Sequence, residues 1–263
     1  VSGARTLRWY AAVQATNAKA VVALRGAFWT QVVGMALNNL VFFATWLLFF
    51  HRFEEVRGWR LPDMAALYGL VATAFGLGAV FAGGATRLAA HVLEGRLDVA
   101  LVQPKPPLLH LLGARMRASG VGDVGSGVFL LAASGLVSFE TVPSVVAGVL
   151  AGAVVLTATA VLAHSAVFFL GPVEALARQF VEFLVTFSVY PDMVATGLLR
   201  GVLFTALPAA FVSWLPVDLL RRFTWEGLAL VLGGAALYGG AALLVFRAGL
   251  RRYESGGGFG GAV

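Results

Sequence analysis

The sequence predicts an all-α integral membrane protein with six transmembrane helices, an amphipathic helix lying on the membrane ahead of them, and a re-entrant hairpin between spans five and six. Three observations carry that prediction. The 263-residue chain is 59% hydrophobic and 12% charged, with a mean hydropathy of +0.86, whereas a soluble domain carries about a quarter charged residues. Several apolar runs reach the roughly 20 residues that cross a hydrocarbon core of about 30 Å at about 1.5 Å per residue. The basic residues, which give a net charge of +6 and a pI near 10.3, sit between those runs. They read as topology signals beside a lipid bilayer and not as a surface for nucleic acid.

The elements follow in order. Over residues 5–25, Arg5, Arg8 and Lys19 fall on one side of a helical wheel and Trp9, Val13, Ala20 and Leu24 on another, the pattern of an interfacial helix. The same stretch has no compact apolar core ahead of a cleavage site, so it is not read as a cleavable signal. The first span is 26–50 and the second 64–86, joined by a connector holding Arg52, Glu54, Glu55, Arg57 and Arg60. A long polar segment, 87–117, follows. The third span, 118–139, is rich in Gly and Ser and carries one acid, Asp123, placed near the inner end where its charge reaches the interface.

The turn around Glu140 and Pro143 leads to the fourth span, 143–170, within a stretch free of Asp, Glu, Lys and Arg from Thr141 to Val173. The fifth span, 174–191, opens with Glu174, Arg178 and Glu182 and ends at Tyr190 and Pro191. Asp192, Arg200, Pro208 and Pro216 then interrupt the hydrophobic run, which reads as a re-entrant region over 192–222 broken at the prolines, since Pro removes a backbone donor. A fifth span at 201–217 is the competing parse. The sixth span is 227–246, and the glycine-rich SGGGFGGAV closes the sequence as a flexible end.

Arginine and lysine set the orientation. With both termini in the cytoplasm, the inside collects Arg5, Arg8, Lys19, Arg25, Arg87, Arg96, Lys105, Arg115, Arg117, Arg178, Arg247, Arg251 and Arg252. The outside keeps Arg52, Arg57, Arg60, Arg200, Arg221 and Arg222, so thirteen stand against six and the positive-inside rule favours this arrangement. A bacterial inner membrane is the expected location, because two lysines against seventeen arginines and abundant Ala and Gly fit a GC-rich bacterial genome.

Enzymatic chemistry is not expected of this chain. A P-loop needs a lysine after a glycine-rich turn, but Lys19 lies between alanines and Lys105 between prolines. No HExxH or GxSxG occurs, there is no cysteine, and His51, His91, His110 and His164 are scattered. No catalytic residue, metal ligand or cofactor is therefore assigned. The most informative segment is Glu94 to Leu109, EGRLDVALVQPKPPLL. Gly95 ends one helix, Leu97 to Val102 form a short amphipathic element, and Pro104, Pro106 and Pro107 stiffen the return to the bilayer. A rigid knuckle of mixed polarity suits docking to another protein, and an ordinary solvated loop is the alternative. Asn38 and Asn39 fit hydrogen bonds between helices better than a pathway lining, and His164 reads as a packing residue. Gly76, Gly83, Gly84, Gly148 and Gly152 read as sites of close helix approach.

Gly58-Trp59, Gly95-x-Leu97-Asp98 with Pro104 and Pro107, Tyr190-Pro191, Pro208-Ala209-x-Phe211 with Pro216, and the ending GLRRYESGG occur in an order that resembles the ABC transporter type 2 permeases. The likeness is to the bacterial branch of roughly 260-residue permeases that work with a separate ATPase. It implies two six-span permeases, identical or homologous, above a cytoplasmic ABC ATPase dimer, with ATP and Mg held by the partner subunits and none by this chain. By the same resemblance, Glu94, Gly95, Arg96, Leu97, Asp98, Pro104, Lys105 and Pro107 form the ATPase-coupling surface with the N-terminal helix nearby. Tyr190, Pro191, Pro208 and Pro216 then belong to a re-entrant element at the outer end of the pathway. Relatives often carry an acidic-Tyr-Arg cluster before the first span; here the residues are Ala23-Leu24-Arg25, and only Arg25 carries over.

Export driven by ATP on a partner is thus the expected function. An importer permease is one rival, since Glu174-Ala175-Leu176 is faintly like the importers' EAA loop, although Phe180 stands where that loop has glycine. A proton-coupled secondary transporter is another and calls for a buried acid at mid-depth; Asp123 and Asp192 come closest, each near an expected span end. A membrane scaffold is the third.

Overall fold

The computed structural model describes residues 3–192 and 195–254. The glycine-rich tail expected to be flexible lies outside the described residues. Fourteen α-helices make up the described fold: α1 (Gly3–Ala23), α2 (Arg25–Arg52), α3 (Leu61–Phe81), α4 (Leu88–Leu93), α5 (Leu97–Leu101), α6 (Pro107–Leu112), α7 (Ser119–Ala133), α8 (Val142–Ser165), α9 (Val167–Leu170), α10 (Glu174–Ser188), α11 (Gly197–Phe204), α12 (Ala209–Val212), α13 (Trp214–Arg221) and α14 (Trp225–Leu250). Four segments are long and apolar enough to cross a membrane: Arg25–Arg52, Leu61–Phe81, Val142–Leu170 and Trp225–Leu250. A fifth candidate is the pair Gly197–Phe204 and Ala209–Arg221, bent by 61° at a short break. The protein is therefore an all-helical, multi-pass membrane protein with four to five candidate spans, where the sequence led us to expect six.

The difference arises at two short helices. The run expected as a span at 118–139 is helical over Ser119–Ala133 and then turns out at Gly135, whose φ of +68° lies in the left-handed region that glycine adopts without cost. The run expected at 174–191 is helical over Glu174–Ser188. Fifteen residues rise only about 22 Å, less than a hydrocarbon core.

Local chemistry sets the starts of the long helices. α3 carries Pro62 in its first turn, where a missing N–H costs nothing, and the Asp63 carboxylate accepts from the Arg60 N–H at 2.8 Å. α14 is capped by Thr224, whose hydroxyl accepts from the Gly227 N–H at 3.0 Å. Apolar side chains run all round these helices, so pattern gives way to shape in deciding how they pack.

The most extensive helix contact is between α3 and α7. A Cβ on Gly76 would lie 2.6 Å from the Gly120 carbonyl oxygen, and one on Gly69 would lie 2.8 Å from that of Gly127. The two helices thus run antiparallel and touch backbone to backbone. Asp123 falls between Gly120 and Gly127, level with the stretch of α3 between Gly69 and Gly76, and bonds to Asn39 at the midpoint of α2. Its expected place at the inner end of a span is therefore corrected: α7 starts deep in the bundle, and its fourth residue past the start is already at mid-depth.

The bundle has two ends. At one end, α1 hydrogen-bonds to the end of α3 and to the segment 107–113, and the chain after α14 meets α5. Two buried cores fill the interior. One follows α3, α8 and α12–α13 with Met64, Leu70, Val155, Val212 and Trp214, and the other lies at the α1 end with Leu88, Leu97, Leu111, Phe168 and Phe246.

A branched side chain at Gly76 has no room. Gly76→Val is expected to cost about 1–3 kcal/mol or more, read as a lowered thermal unfolding midpoint in detergent, while Gly233→Ala, with nothing within 4 Å of its new methyl group, leaves the midpoint unchanged.

Candidate functional site

Two clusters of polar contacts organise the two ends. At the α1 end, the segment 88–112 folds into three short helices. Gly95 takes φ +70° between α4 and α5, a conformation that places Glu94 and Arg96 side by side as an exposed ion pair with Nε–Oε2 of 2.7 Å. Leu97 and Ala100 are fully buried, so α5 is pinned to the core by one face. Its other face presents Val99 and continues into Val102, 83% exposed. The Asp98 carboxylate accepts a hydrogen bond from the Tyr253 hydroxyl, and Tyr253 packs edge-on to Phe168. Burial first, then the hydrogen bond to Asp98 and last the Asp98 charge, push the Tyr253 hydroxyl pKa above its ordinary value.

Pro107 opens α6, with Pro104 exposed on the approach. Lys105 lies over the Trp9 ring at 5.8 Å, and Trp9 stacks on His110 with ring centres 6.0 Å apart. Gln14 donates to the Phe81 carbonyl at 2.9 Å and Asn17 to the Gly113 carbonyl at 2.7 Å, with Tyr10 also donating to the Phe81 carbonyl. The eight expected coupling residues are thus on one knuckle, but they differ in surroundings. Leu97 anchors, Asp98 bonds internally, Lys105 meets α1, and the Glu94–Arg96 pair with Pro104 faces outward.

The other end is closed by a cap that sequence reasoning did not foresee. Val56 and Trp59 exchange backbone hydrogen bonds at 2.9 and 3.0 Å, and the two residues between them, Arg57 and Gly58, both have positive φ, the geometry of a type I′ turn. This turn buries Trp59, whose indole N–H donates to Asp192 at 2.8 Å. The Arg221 guanidinium lies 4.3 Å above the centre of the same ring. Arg221 also pairs with the buried Asp63 at 2.8 Å, donates to the Gly58 carbonyl at 3.2 Å and stands 3.5 Å from Asp218. Asp192 in turn pairs with Arg200 at 3.4 Å.

The four residues expected at the outer pathway are not gathered into one site. The Tyr190 carbonyl accepts from the Trp214 indole at 2.7 Å, and Pro191 is buried beside it. Pro208 precedes α12 at the bend, as a helix-breaking residue should. Pro216 stands where α12 and α13 part: it has no N–H to give the Val212 carbonyl four residues back, and the helix is interrupted at Ser213. It lies in the first turn of α13 and packs against Gly148, where an added Cβ would approach it to 2.9 Å. The missed cap residues had one signal: in a chain this poor in charge, Asp63 and Arg221 are costly to bury unless paired.

Helices long and apolar enough to cross a bilayer thus form a bundle that is capped at one end and carries a shaped, partly exposed knuckle at the other. The chain belongs to the ABC-2 family of transporter proteins: the model of that family, described as ABC-2 family transporter protein, matches residues 36–257. The match runs from the middle of α2 through the knuckle, the cap and α14. It is a membrane permease component of an ABC transporter, a family whose permeases normally work with an ATPase subunit. No curated protein and no solved structure matches the chain significantly.

Two outcomes test these clusters. Arg221→Ala leaves the Asp63 carboxylate buried without its cation, and removal of one partner of a buried pair costs about 3–5 kcal/mol; a lowered unfolding midpoint is expected, with faster maleimide labelling of Ala195→Cys, the single thiol in a chain without cysteine. At the knuckle, burial first and Arg96 next hold the His91 imidazole below its ordinary pKa, with Arg87 and His110 acting the same way and Glu94 opposing them. The unfolded loop therefore takes up a proton first. Stability from neutral His91 is present above pH about 6.5 and falls as the pH drops below it, so limited proteolysis of the 88–112 segment should speed up from pH 7.5 to pH 5.5, and His91→Gln should remove that change.

Proposed function

We propose that this chain is the transmembrane subunit of an ATP-driven exporter, acting as one of two permeases above a cytoplasmic ABC ATPase dimer in a bacterial inner membrane. The observation that carries the reading is the build of α5: Leu97 is fixed in the core and Asp98 in the Tyr253 contact, while Val99 and Val102 stand exposed on the other face. A partner that grips the exposed face pulls on the core that Leu97 and Ala100 share with Leu111, Phe168 and Phe246. ATP and Mg belong to that partner. Both termini face the cytoplasm in this reading, supported by the basic-residue bias and by the shared end at which α1, the knuckle and Tyr253 meet.

In the same proposal α2, α3, α7, α8 with α9, α10 and α14 are six spans, the two short ones completed by flanking irregular chain held against protein. The α11–α13 segment is re-entrant. What supports this is Trp59, which binds Asp192 ahead of the segment and Arg221 at its far end, so that the chain leaves and returns at one place.

Purification of the full chain with the proteins encoded beside it tests the partner. A Walker-containing ATPase is expected to copurify, and Val102→Glu, at an exposed position that disturbs no internal contact, is expected to release it while membrane insertion is unchanged. Absence of any ATPase from the wild-type preparation defeats the reading.

A further inference from the structure

Between α2, α3, α7 and α10 lies a cavity of about 320 Å³, bounded at mid-depth by Asp123. Its size sits at the lower end of the ~300–1,000 Å³ typical of small-ligand pockets. The Asp123 side chain is 3% exposed. One carboxylate oxygen accepts from Asn39 Nδ2 at 2.9 Å, and the same amide also reaches Ser126 Oγ at 2.9 Å. The second oxygen is buried and has no hydrogen-bond partner. An acceptor left so in a low-dielectric interior is costly, and a carboxylate more than a neutral group.

The rest of the wall narrows what would relieve that cost. Phe42, Tyr68, Phe75 and Tyr190 line the cavity, and Asn38 adds a polar edge whose amide is engaged only by Met35 Sδ at 4.0 Å. Among the described lining residues none is Lys, Arg or His. Arg117, the basic residue whose charge reaches Asp123, lies over the Phe75 ring at 5.7 Å and outside the lining. One buried acid among four aromatic rings is the chemistry that holds a substituted ammonium: the carboxylate supplies the counter-charge and the π-faces attract the cation's apolar-shielded charge. The larger cavity beside α3, α8 and α14, about 620 Å³, is lined by Leu, Val, Ala and Gly with Phe81 and Thr157 and no acid, and offers no such counter-charge.

We propose that the Asp123 cavity is a binding site for an amphipathic cation, an alkylated ammonium on an apolar body, with Asp123 as its counter-ion and Phe42, Tyr68, Phe75 and Tyr190 as its walls. The inference rests on the permease reading in one respect, that the cation is cargo. Its test does not depend on ATP.

The full chain, with any bound partner retained, is reconstituted in nanodiscs of neutral phosphatidylcholine and titrated with tritiated benzyltrimethylammonium. Saturable binding is expected, displaced by the unlabelled cation and not by neopentylbenzene, its uncharged isostere. Asp123→Asn keeps the acceptor for Asn39 and removes the charge, and is expected to weaken binding about thirtyfold or more, as loss of one member of a buried charge pair does. Tyr190→Leu, at the cavity's rim, is expected to weaken binding severalfold even should Asp123→Asn prove unstable, and Thr157→Val in the larger cavity to leave it unchanged. Absence of saturable binding to the wild-type chain, equal displacement by the hydrocarbon, or unchanged affinity in a folded Asp123→Asn overturns the proposal. Because the readout is equilibrium binding, its failure and a failure of ATPase copurification are seen separately.

Discussion

The backbone contact between α3 and α7 is the constraint on which the interior depends. In lipid there is no hydrophobic driving force between helices, so association rests on van der Waals contact and on the few hydrogen bonds that cross. Gly69 and Gly76 on one helix meet Gly127 and Gly120 on the other, each without a Cβ to hold the backbones apart. That spacing draws a short helix deep into the bundle and sets its register. It is this register that carries Asp123 to mid-depth and against Asn39, and with it the shape of the cavity that α2 and α10 close.

The two ends then differ in how they are held. At the cap, one tight turn places Trp59 where it meets both Asp192 and Arg221, and Arg221 reaches Asp63, so three separate stretches of chain share a single small cluster. Charges buried in this way are kept because each has its partner. At the knuckle the contacts are of another kind: carbonyls of Phe81 and Gly113 receive side chains of α1, and aromatic faces receive Lys105 and His110. α1 therefore braces the knuckle.

Much of this was legible beforehand where residue type alone carries the information. Gly95 in a left-handed turn, Pro208 at a break, the amphipathic first helix and the apolar runs all follow from local rules of backbone and solvent. Gly76 and Gly148 were read as sites of close approach, and their added Cβ atoms would strike Gly120 and Pro216. Pro216 falls at the break between α12 and α13, as a helix-interrupting residue should. Asp123 was misjudged because its depth follows from how far α7 penetrates.

By itself, then, the sequence determined the solvent, the helical class, the family motifs and the position of the knuckle, because these rest on composition and on interactions within a few residues. Only the tertiary structure decided that Tyr253 answers Asp98, that Trp59 ties the cap together and that a buried acid faces an aromatic cavity. Each of those joins residues far apart in the sequence, and among helices apolar on every side nothing in the local pattern says which faces meet. Shape at the glycines settles it.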